Sequence, residues 1–393
     1  MLETIKNLNI NPLSFMKIGI DFTHDLGYSG IGTYSRSLTE AMMQIEPENK
    51  YTALTLLNTV PEVRKHFPLQ KEISYAGIFP DPMLFGSLLK KKIWKLHKPI
   101  WKKQARKYDL VHFTHQGFFI SGIPNAAVTI HDIIPIYNKT FTSIDRTKLS
   151  ATAEKIKHAC YIFVPSLFVQ NEMLNYFPEC EHKIKVTYEG SKEIYHQKPV
   201  DHKIIEKYGL QANSNFFLYV GRYEARKNLE NLMLAYSHLP EALQQEVKLV
   251  LICPADKKST AYLYKRIAEL GLQKNTLHLQ NVSDEELVHF YNKALALLFV
   301  SYSEGFGLPL VEAMNCGCPS IIANCSSLPE ISGGSSILVE PASVESIRDG
   351  MMKIIDDPEL RSTLSEKSLL RAKTFSWHTT ALETLKGYHE ICS

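Results

Sequence analysis

The stretch SYSEGFGLPLVEAMNCGCPSIIAN, residues 301–324, predicts the end of a strand, then a loop, then the start of a helix. The run ALALLFVS that leads into it is apolar enough for a buried strand. Pro309 suits the first turn of a helix, and Gly317 followed by Pro319 suits its end. A helix that starts after a buried strand directs free N–H groups and a partial positive charge out of the sheet. This stretch therefore predicts a ligand site.

Two glutamates lie in this stretch: Glu304 in the predicted loop and Glu312 in the predicted first turn of the helix. Because two carboxylates repel a phosphate, they suit a ligand that offers hydroxyl groups, as a sugar or a ribose does. From spacing alone, the alternative is that both glutamates only favour the helix dipole.

The length of 393 residues fits two domains. A composition of 45% hydrophobic and 22% charged residues is typical of a soluble globular protein, and a net charge of +3 gives no argument for a nucleic-acid partner. The seven cysteines include no C-x-x-C pair, so we expect reduced thiols in a cytoplasmic protein. No apolar run reaches the roughly 18 residues that a membrane span needs.

Short apolar runs alternate with helical segments along the chain, which predicts parallel sheets covered by helices on both faces. A polar, irregular segment at 191–215 divides these runs into two series. We therefore predict an α/β protein with two Rossmann-like domains, at 16–200 and 201–375, facing each other across a cleft. Residues 1–15 are expected to be an extension outside the fold, and a helix at 376–393 is expected to pack back on the first domain.

Two further segments place polar residues after predicted strands. In YVGRYEARKN, residues 219–228, Arg222 and Lys227 could neutralise a diphosphate, and two solvated charges are the alternative. In TIHDIIP, residues 129–135, His131 follows a strand, where a structural histidine is the alternative to a functional one.

A glycine-rich segment, GYSGIGTYSRS at 27–37, leads into a helix. Its glycines do not follow the dinucleotide-binding order, so the segment predicts either a tight turn or a close approach of the backbone to a ligand. The chain has no D-x-D for a metal-bridged diphosphate, and no G-x-S-x-G, H-E-x-x-H or P-loop motif. We therefore exclude the common hydrolase and P-loop classes, and we expect no metal and no cofactor.

Taken together, these segments resemble the retaining glycosyltransferases of family 4, the group 1 glycosyl transferases with the GT-B fold. The segment EGFGLPLVEAM resembles the E-x-F-G-x-x-x-x-E signature of that family, and GRYEARKN resembles its G-R-x-x-x-x-K motif. Four more segments match in the expected order, so the resemblance covers about residues 16 to 390. They are SGIGTYSRSL, TIHDIIP, SSLPEISGG and FSW.

The resemblance implies a role for each site residue. Arg222 and Lys227 would hold the diphosphate, Glu312 would bind the ribose hydroxyls, and Glu304 would bind hydroxyls of the donor sugar. The implied catalytic residues are His131, Arg222, Lys227 and Glu304. The implied donor-binding residues are Gly30, Ile31, Arg222, Lys227, Glu304, Gly305, Phe306, Gly307, Leu308 and Glu312. The first domain would bind the acceptor, and the second would bind the nucleotide sugar.

The resemblance implies a retaining, metal-independent hexosyltransferase for polysaccharide or lipopolysaccharide assembly, with a saccharide or lipid-linked acceptor. GDP-mannose is favoured over a UDP-hexose as the donor, although no residue decides between them. Two segments depart from the family. ICPADKK stands at 252–258, where the family often has Val-Gly, and Tyr188-Glu189-Gly190 stands where the family often has Asn-Gly. The alternatives are a GT-B sugar-nucleotide epimerase and a catalytically silent nucleotide-sugar-binding protein.

A basic segment, LLKKKIWKLHKPIWKKQARK at 88–107, interleaves nine cationic residues with apolar ones and contains no acid. One interpretation is a peripheral contact with an anionic membrane on the cytoplasmic side, which would suit a lipid-linked acceptor. The other is a solvated helix face whose aromatic residues pack into the core.

Overall fold

The computed structural model of the protein describes residues 15–23, 30–66, 73–79, 98–133 and 154–392. Its first sheet has seven parallel strands in the order β3-β2-β1-β4-β5-β6-β7. The strands are β1 Lys17–Asp21, β2 Lys50–Leu56, β3 Ile73–Phe79, β4 Leu110–Phe113, β5 Ala126–Thr129, β6 Tyr161–Val164 and β7 Ile184–Val186.

The second sheet has six parallel strands in the order β10-β9-β8-β11-β12-β13. They are β8 Asn215–Val220, β9 Val247–Ile252, β10 Thr276–Leu279, β11 Ala296–Phe299, β12 Ser320–Ala323 and β13 Ile337–Val339. Both sheets are doubly wound: the strand order reverses between β1 and β4 in the first and between β8 and β11 in the second. Ligands of such sheets bind in the crevice at these reversal points.

Helices connect the strands and cover both faces of each sheet. Within the described residues, those of the first unit are Gly30–Ile45, Val60–His66, 98–105, 154–156 and Leu167–Tyr176. Those of the polar segment 191–215 and of the second unit are His202–Lys207, Leu229–Ser237, Glu241–Glu246, Lys257–Glu269, Asp284–Lys293, Leu308–Asn315, Leu328–Ser332, Val344–Asp356 and Pro358–Ala372. A last helix, Trp377–Cys392, follows. Short 3₁₀ turns occupy Leu57–Thr59, Gln116–Phe118, Pro178–Lys183 and Ala225–Lys227.

The strands are buried because helices lie over both faces, and each sheet therefore has two apolar clusters. Strand β11, for example, is buried along its whole length, which explains why its sequence is continuously apolar and does not alternate. Two strands, β3 and β13, were not predicted from the sequence. The first contains a glycine, which weakens the strand pattern, and the second is only three residues long.

The last helix packs on the helix Gly30–Ile45 and on β4 and β6 of the first unit. The hydroxyl of Tyr388 lies 2.6 Å from Nδ1 of the buried His112, and Nε2 of His389 lies 2.8 Å from Glu46. The end of the chain therefore joins the second unit to the first.

The helix after β11 begins at Leu308, with Pro309 in its first turn and Gly317 in the left-handed conformation after its end, as predicted. The prediction that Glu312 lies in the first turn was wrong, because the helix starts at Leu308 and Glu312 falls in the second turn. A glutamate one turn further along gains less from the helix dipole, which acts within the first turn.

Three sequence predictions concern residues outside the described part of the chain: the extension 1–14, Gly27, and residues 88–97 of the basic segment. In the described half of that segment, Trp101 is buried against Phe113 of β4. Within the described residues, no helix is both long and apolar enough to cross a membrane.

Candidate active site

The carboxyl ends of β8 and β11, neighbours at the reversal point of the second sheet, bring three charged side chains together. Lys227 and Arg226 lie in the turn after β8, and Glu304 lies in the loop after β11. Nζ of Lys227 is 2.6 Å from Oε1 of Glu304, and a terminal nitrogen of Arg226 is 3.1 Å from Oε2. Both carboxylate oxygens of Glu304 therefore contact a cation.

Glu304 is only 6% exposed. Burial alone would disfavour its carboxylate, but the charges of Lys227 and Arg226 outweigh burial and hold the pKa of Glu304 below its usual value. Glu304 is therefore a carboxylate at neutral pH. It can accept hydrogen bonds from ligand hydroxyls, while Lys227 and Arg226 offer positive charge to a phosphate.

The two arginines of GRYEARK are placed differently. The side chain of Arg222 is 71% exposed, and its Nε lies 3.8 Å from Glu224. The side chain of Arg226 is 26% exposed and donates to Glu224, to the carbonyl of Ser303 and to Glu304. Sequence reasoning named Arg222 and missed Arg226, although the adjacent Arg-Lys pair was a visible signal. The contact of Arg222 with a diphosphate stays a prediction.

Asn228, the residue after Lys227, ties the two loops together. It has a positive φ of 58° and precedes the helix Leu229–Ser237. Its side-chain amide donates to the carbonyls of Val300 and Pro341, so the turn after β8 is bonded to the end of β11. This arrangement holds Lys227 opposite Glu304.

Gly305 brings the two units into contact. A Cβ built on Gly305 would lie 1.7 Å from the carbonyl oxygen of His131, so no other residue fits there in this arrangement. The hydroxyl of Ser166, in the first unit, donates to the carbonyl of Gly305 over 2.6 Å. The structure thus brings the predicted residues His131 and Gly305 together across the cleft.

The rest of the loop serves different purposes. The side chain of Phe306 is buried against Phe375 and Tyr188, so it belongs to the core and contributes only its backbone to the cleft. Gly307 has a φ of 106° and precedes the helix that starts at Leu308. A left-handed backbone at that point explains the second glycine of the motif.

Gly30 and Ile31, the other predicted donor residues, open the helix Gly30–Ile45. A Cβ on Gly30 would lie 3.8 Å from the side chain of Leu308. The N-termini of the helices that begin at Gly30 and Leu308 therefore lie close together in the cleft. Two partial positive charges at one place favour an anionic ligand.

Glu312 accepts a hydrogen bond of 2.9 Å from the hydroxyl of Tyr291. Burial raises its pKa to about 7, the Tyr291 hydrogen bond works in the opposite direction, and the charge of Asp284 adds to the increase. Glu312 therefore changes its charge near neutral pH. The two glutamates are held by different elements. Glu312 is bonded to Tyr291 of the helix Asp284–Lys293, whereas Glu304 is bonded to Lys227 in the turn after β8.

His131 lies at the cleft, 4.7 Å from the ring of Tyr34 in an edge-on contact. Its Nε2 is 2.9 Å from the carbonyl oxygen of Thr114, and its Nδ1 is 3.2 Å from Oε1 of Glu189. Burial alone would lower the pKa of His131, but the hydrogen bond and charge of Glu189 raise it overall. Glu189, only 4% exposed, was noted in the sequence only as a departure from Asn-Gly.

The chain is similar in sequence and in fold to known glycosyl transferases. Residues 200–371 match the family described as Glycosyl transferases group 1. The chain is 26% identical to O-antigen chain mannosyltransferase B of Escherichia coli over 370 residues, covering 92% of this chain and 96% of that protein. It is 29% identical over 273 residues, 66% of this chain, to the serotype-specific mannosyltransferase WbdA of Escherichia coli, but spans only 33% of that longer protein.

Among solved structures, HepE from Anabaena in complex with UDP and glucose superposes with a TM-score of 0.76. The match covers 95% of this chain and all of that chain at 19% sequence identity. This likeness confirms the predicted fold, two Rossmann-like domains in the GT-B arrangement.

Proposed function

We propose that the chain, whose residues 200–371 match the family Glycosyl transferases group 1, is a retaining hexosyltransferase that uses a nucleotide diphosphate sugar. The observation that carries the proposal is the cluster of Lys227, Arg226 and Glu304, since the residue after Glu304, Gly305, meets the backbone of His131 across the cleft. Cations for a diphosphate and a carboxylate for sugar hydroxyls lie side by side there, as the donor requires.

The electrostatics of the cluster suit a diphosphate leaving group. Arg222, Arg226 and Lys227 carry three positive charges against the two negative charges of Glu224 and Glu304, so these five side chains retain one positive charge. Negative charge builds on the donor phosphate as its bond to the sugar breaks. Fixed cations beside that phosphate stabilise the transition state.

In the proposed mechanism, the anomeric configuration of the sugar is retained because the acceptor hydroxyl attacks on the same face from which the phosphate departs. Both carboxylate oxygens of Glu304 are held by cations, which makes Glu304 a poor nucleophile. In this mechanism the bond from the anomeric carbon to the phosphate oxygen breaks, and a bond to the acceptor oxygen forms on the same face. The acceptor proton passes to the released phosphate oxygen, and the protein contributes orientation and charge.

For the donor we propose GDP-mannose, and for the setting the assembly of a polysaccharide such as an O-antigen. The support is the names of the two Escherichia coli relatives, both mannosyltransferases. The UDP in the HepE structure makes a UDP-hexose the competing donor. Arg222 and Lys227 would hold the diphosphate, Glu312 the ribose, and Glu304 the sugar.

The proposed acceptor is a saccharide, free or lipid-linked, and peripheral attachment to the cytoplasmic face of a membrane belongs to the same proposal. Its support is the described end of the basic segment, where Lys98, Lys103, Arg106 and Lys107 are exposed. Trp101 of the same segment packs into the core and takes no part in this proposal. Binding of the purified protein to anionic vesicles at low salt, lost in high salt, would agree with attachment. The absence of binding to such vesicles would contradict it.

The donor is tested by thermal unfolding of the full chain with GDP, UDP, ADP and dTDP, followed by turnover of the matching nucleotide sugar. We expect GDP to raise the unfolding temperature most, because it is the nucleotide of the proposed donor. A ligand at about 100 times its Kd stabilises a protein by roughly 2.7 kcal/mol, whereas a nucleotide that does not bind leaves the unfolding temperature unchanged. We expect release of GDP from GDP-mannose when acceptor is present. A higher unfolding temperature only with UDP would replace the donor, and donor binding without nucleotide release would point to a binding protein.

A further inference from the structure

Both ring nitrogens of His131 face groups that only accept hydrogen bonds. The Nε2 side meets the carbonyl of Thr114 at 2.9 Å, and the Nδ1 side meets the carboxylate of Glu189 at 3.2 Å. A neutral histidine has one N–H group and can satisfy only one of these acceptors, whereas the imidazolium satisfies both. The geometry therefore favours the charged form.

The other neighbours of His131 come from several elements. Asp132 is adjacent in its own loop, and its negative charge favours the imidazolium. The ring of His115 is stacked at 6.3 Å, and Tyr34, from the helix Gly30–Ile45, contributes an edge-on ring. The buried His112 is held neutral, since burial lowers its pKa to about 3. Among these described neighbours, the carboxylate of Glu189 lies within hydrogen-bonding distance of the ring.

Glu189 lies on the segment after β7, far from His131 in sequence but buried beside it. The backbone position of Glu189 is fixed by its neighbour Gly190. A Cβ on Gly190 would lie 2.3 Å from the backbone nitrogen of Trp377, so the two backbones are in close contact there. The segment after β7 therefore packs closely against the start of the last helix. Glu189 has little freedom to turn away from His131.

We propose that Glu189 is a positioning residue that keeps His131 as a fixed imidazolium on the first unit's wall of the cleft. His131 then serves the transfer as a positive charge, since both N–H groups are already committed within the protein. It does not act as a proton-transfer group. This role in transfer rests on the proposed function, whereas the pairing itself does not.

The charge of this pair has a consequence for pH. An imidazolium stabilised by Glu189 is present at low pH and is lost as pH rises through the raised pKa of His131. Activity that depends on it should therefore decline on the alkaline side. Removing the negative charge with Glu189→Gln should move that decline to lower pH, because the neutral amide no longer stabilises the imidazolium.

The pairing is tested by nuclear magnetic resonance on the full chain labelled with ¹⁵N-histidine, without substrate. The signals of His131 are identified by their loss in His131→Gln. At about pH 7, where a histidine with the ordinary pKa of about 6.5 is mostly neutral, we expect both ring nitrogens of His131 to be protonated. In Glu189→Gln we expect a titration at lower pH, with Nε2 still protonated and Nδ1 bare at the same pH.

A matched control is Glu193→Gln, which makes the same chemical change at an exposed position four residues further along the chain. It should leave the His131 titration unchanged. A wild-type His131 that is mostly neutral at about pH 7 overturns the proposal, even if Glu189→Gln does not fold. An equal His131 titration in the wild type and a folded Glu189→Gln also overturns it.

The role in transfer is tested by the pH profile of kcat/KM for release of GDP from GDP-mannose. We expect the alkaline limb of Glu189→Gln to move toward lower pH. At a pH above this decline, the kcat/KM of Glu189→Gln should be lower than that of the wild type by about tenfold for each pH unit that separates the two declines. A uniform loss at every pH, with no movement of the limb, contradicts the role in transfer. If the resonance data show the pair but no nucleotide sugar is consumed, the proposed function fails and the pairing stands.

Discussion

At the scale of single residues, the site depends on how the protein balances the charge of Glu304. Its carboxylate is almost fully buried and is kept ionised by Lys227 and Arg226. A buried charge costs several kcal/mol unless it is paired, so the two cations also stabilise this loop. The same pairs fix both cations beside Glu304, where we propose that the diphosphate binds.

Lys227→Ala should reduce kcat/KM for nucleotide-sugar turnover by about 10²- to 10³-fold, the usual effect of removing one fixed group that stabilises developing charge. The measurement is release of nucleotide from the donor, with thermal unfolding used to verify that the variant is folded. Lys265→Ala is the matched control, because the side chain of Lys265 is 74% exposed on the helix Lys257–Glu269. Turnover of Lys227→Ala within a few-fold of wild type would remove Lys227 from the mechanism.

Glu312 should make nucleotide binding depend on pH. Its pKa is raised to about 7, so its carboxylate is lost as pH falls below that value. If the carboxylate accepts from the ribose hydroxyls, GDP should bind about five- to tenfold more tightly at pH 8 than at pH 6. Calorimetry would measure the Kd of GDP at each pH. In Glu312→Gln, the Kd should depend on pH only through the titration of the GDP phosphate itself. Parallel pH curves for the two proteins would rule out this role.

At the scale of elements, the loop between β11 and the helix Leu308–Asn315 decides how closely the units approach. Its motif was predicted from sequence because glycine and proline act locally: Gly307 permits the positive φ, and Pro309 suits the helix start. The reason for Gly305 could not be predicted in this way. Its partner, His131, is distant in sequence, so the close approach exists only in the folded protein.

Gly305→Ala should keep the cleft from closing, because the added Cβ would lie 1.7 Å from the carbonyl of His131. We expect kcat/KM to fall by roughly 10²-fold, as for a misplacement of about 1 Å, with little change in unfolding temperature. Small-angle scattering should show a larger radius of gyration. Gly30→Ala is the control for scattering, since its Cβ would make an ordinary 3.8 Å contact. An equally compact Gly305→Ala would show that the two backbones can separate locally.

At the scale of the whole molecule, the two units are joined by hydrogen bonds across the cleft. The carboxylate of Glu330, in the helix Leu328–Ser332, accepts from the backbone N–H groups of Leu167 at 2.8 Å and Phe168 at 3.0 Å. These are the first N–H groups of the helix Leu167–Tyr176, which have no acceptor within their own helix. Glu330 therefore stabilises the closed arrangement through a helix that belongs to the other unit.

Glu330→Ala should weaken closure without unfolding either unit. We expect a larger radius of gyration by scattering and a KM for the donor that rises tenfold or more, because each lost hydrogen bond to a charged group contributes about 1.5–3 kcal/mol. Glu366→Ala, at an exposed position of the helix Pro358–Ala372, should match the wild type in both measurements. Identical scattering for all three proteins would mean that Glu330 does not contribute to closure.

The sequence by itself determined the alternation of strands and helices, the two units, and the loop with Glu304, Gly307 and Pro309. These features depend on local periodicity and on the backbone preferences of glycine and proline, which act between near neighbours in the chain. Tertiary structure alone decided that Arg226 reaches Glu304, that Glu189 faces His131, and that Glu330 caps a helix of the other unit. The physical reason is that charge pairing and helix capping across a cleft depend on distance in space, which strand order and unit packing set.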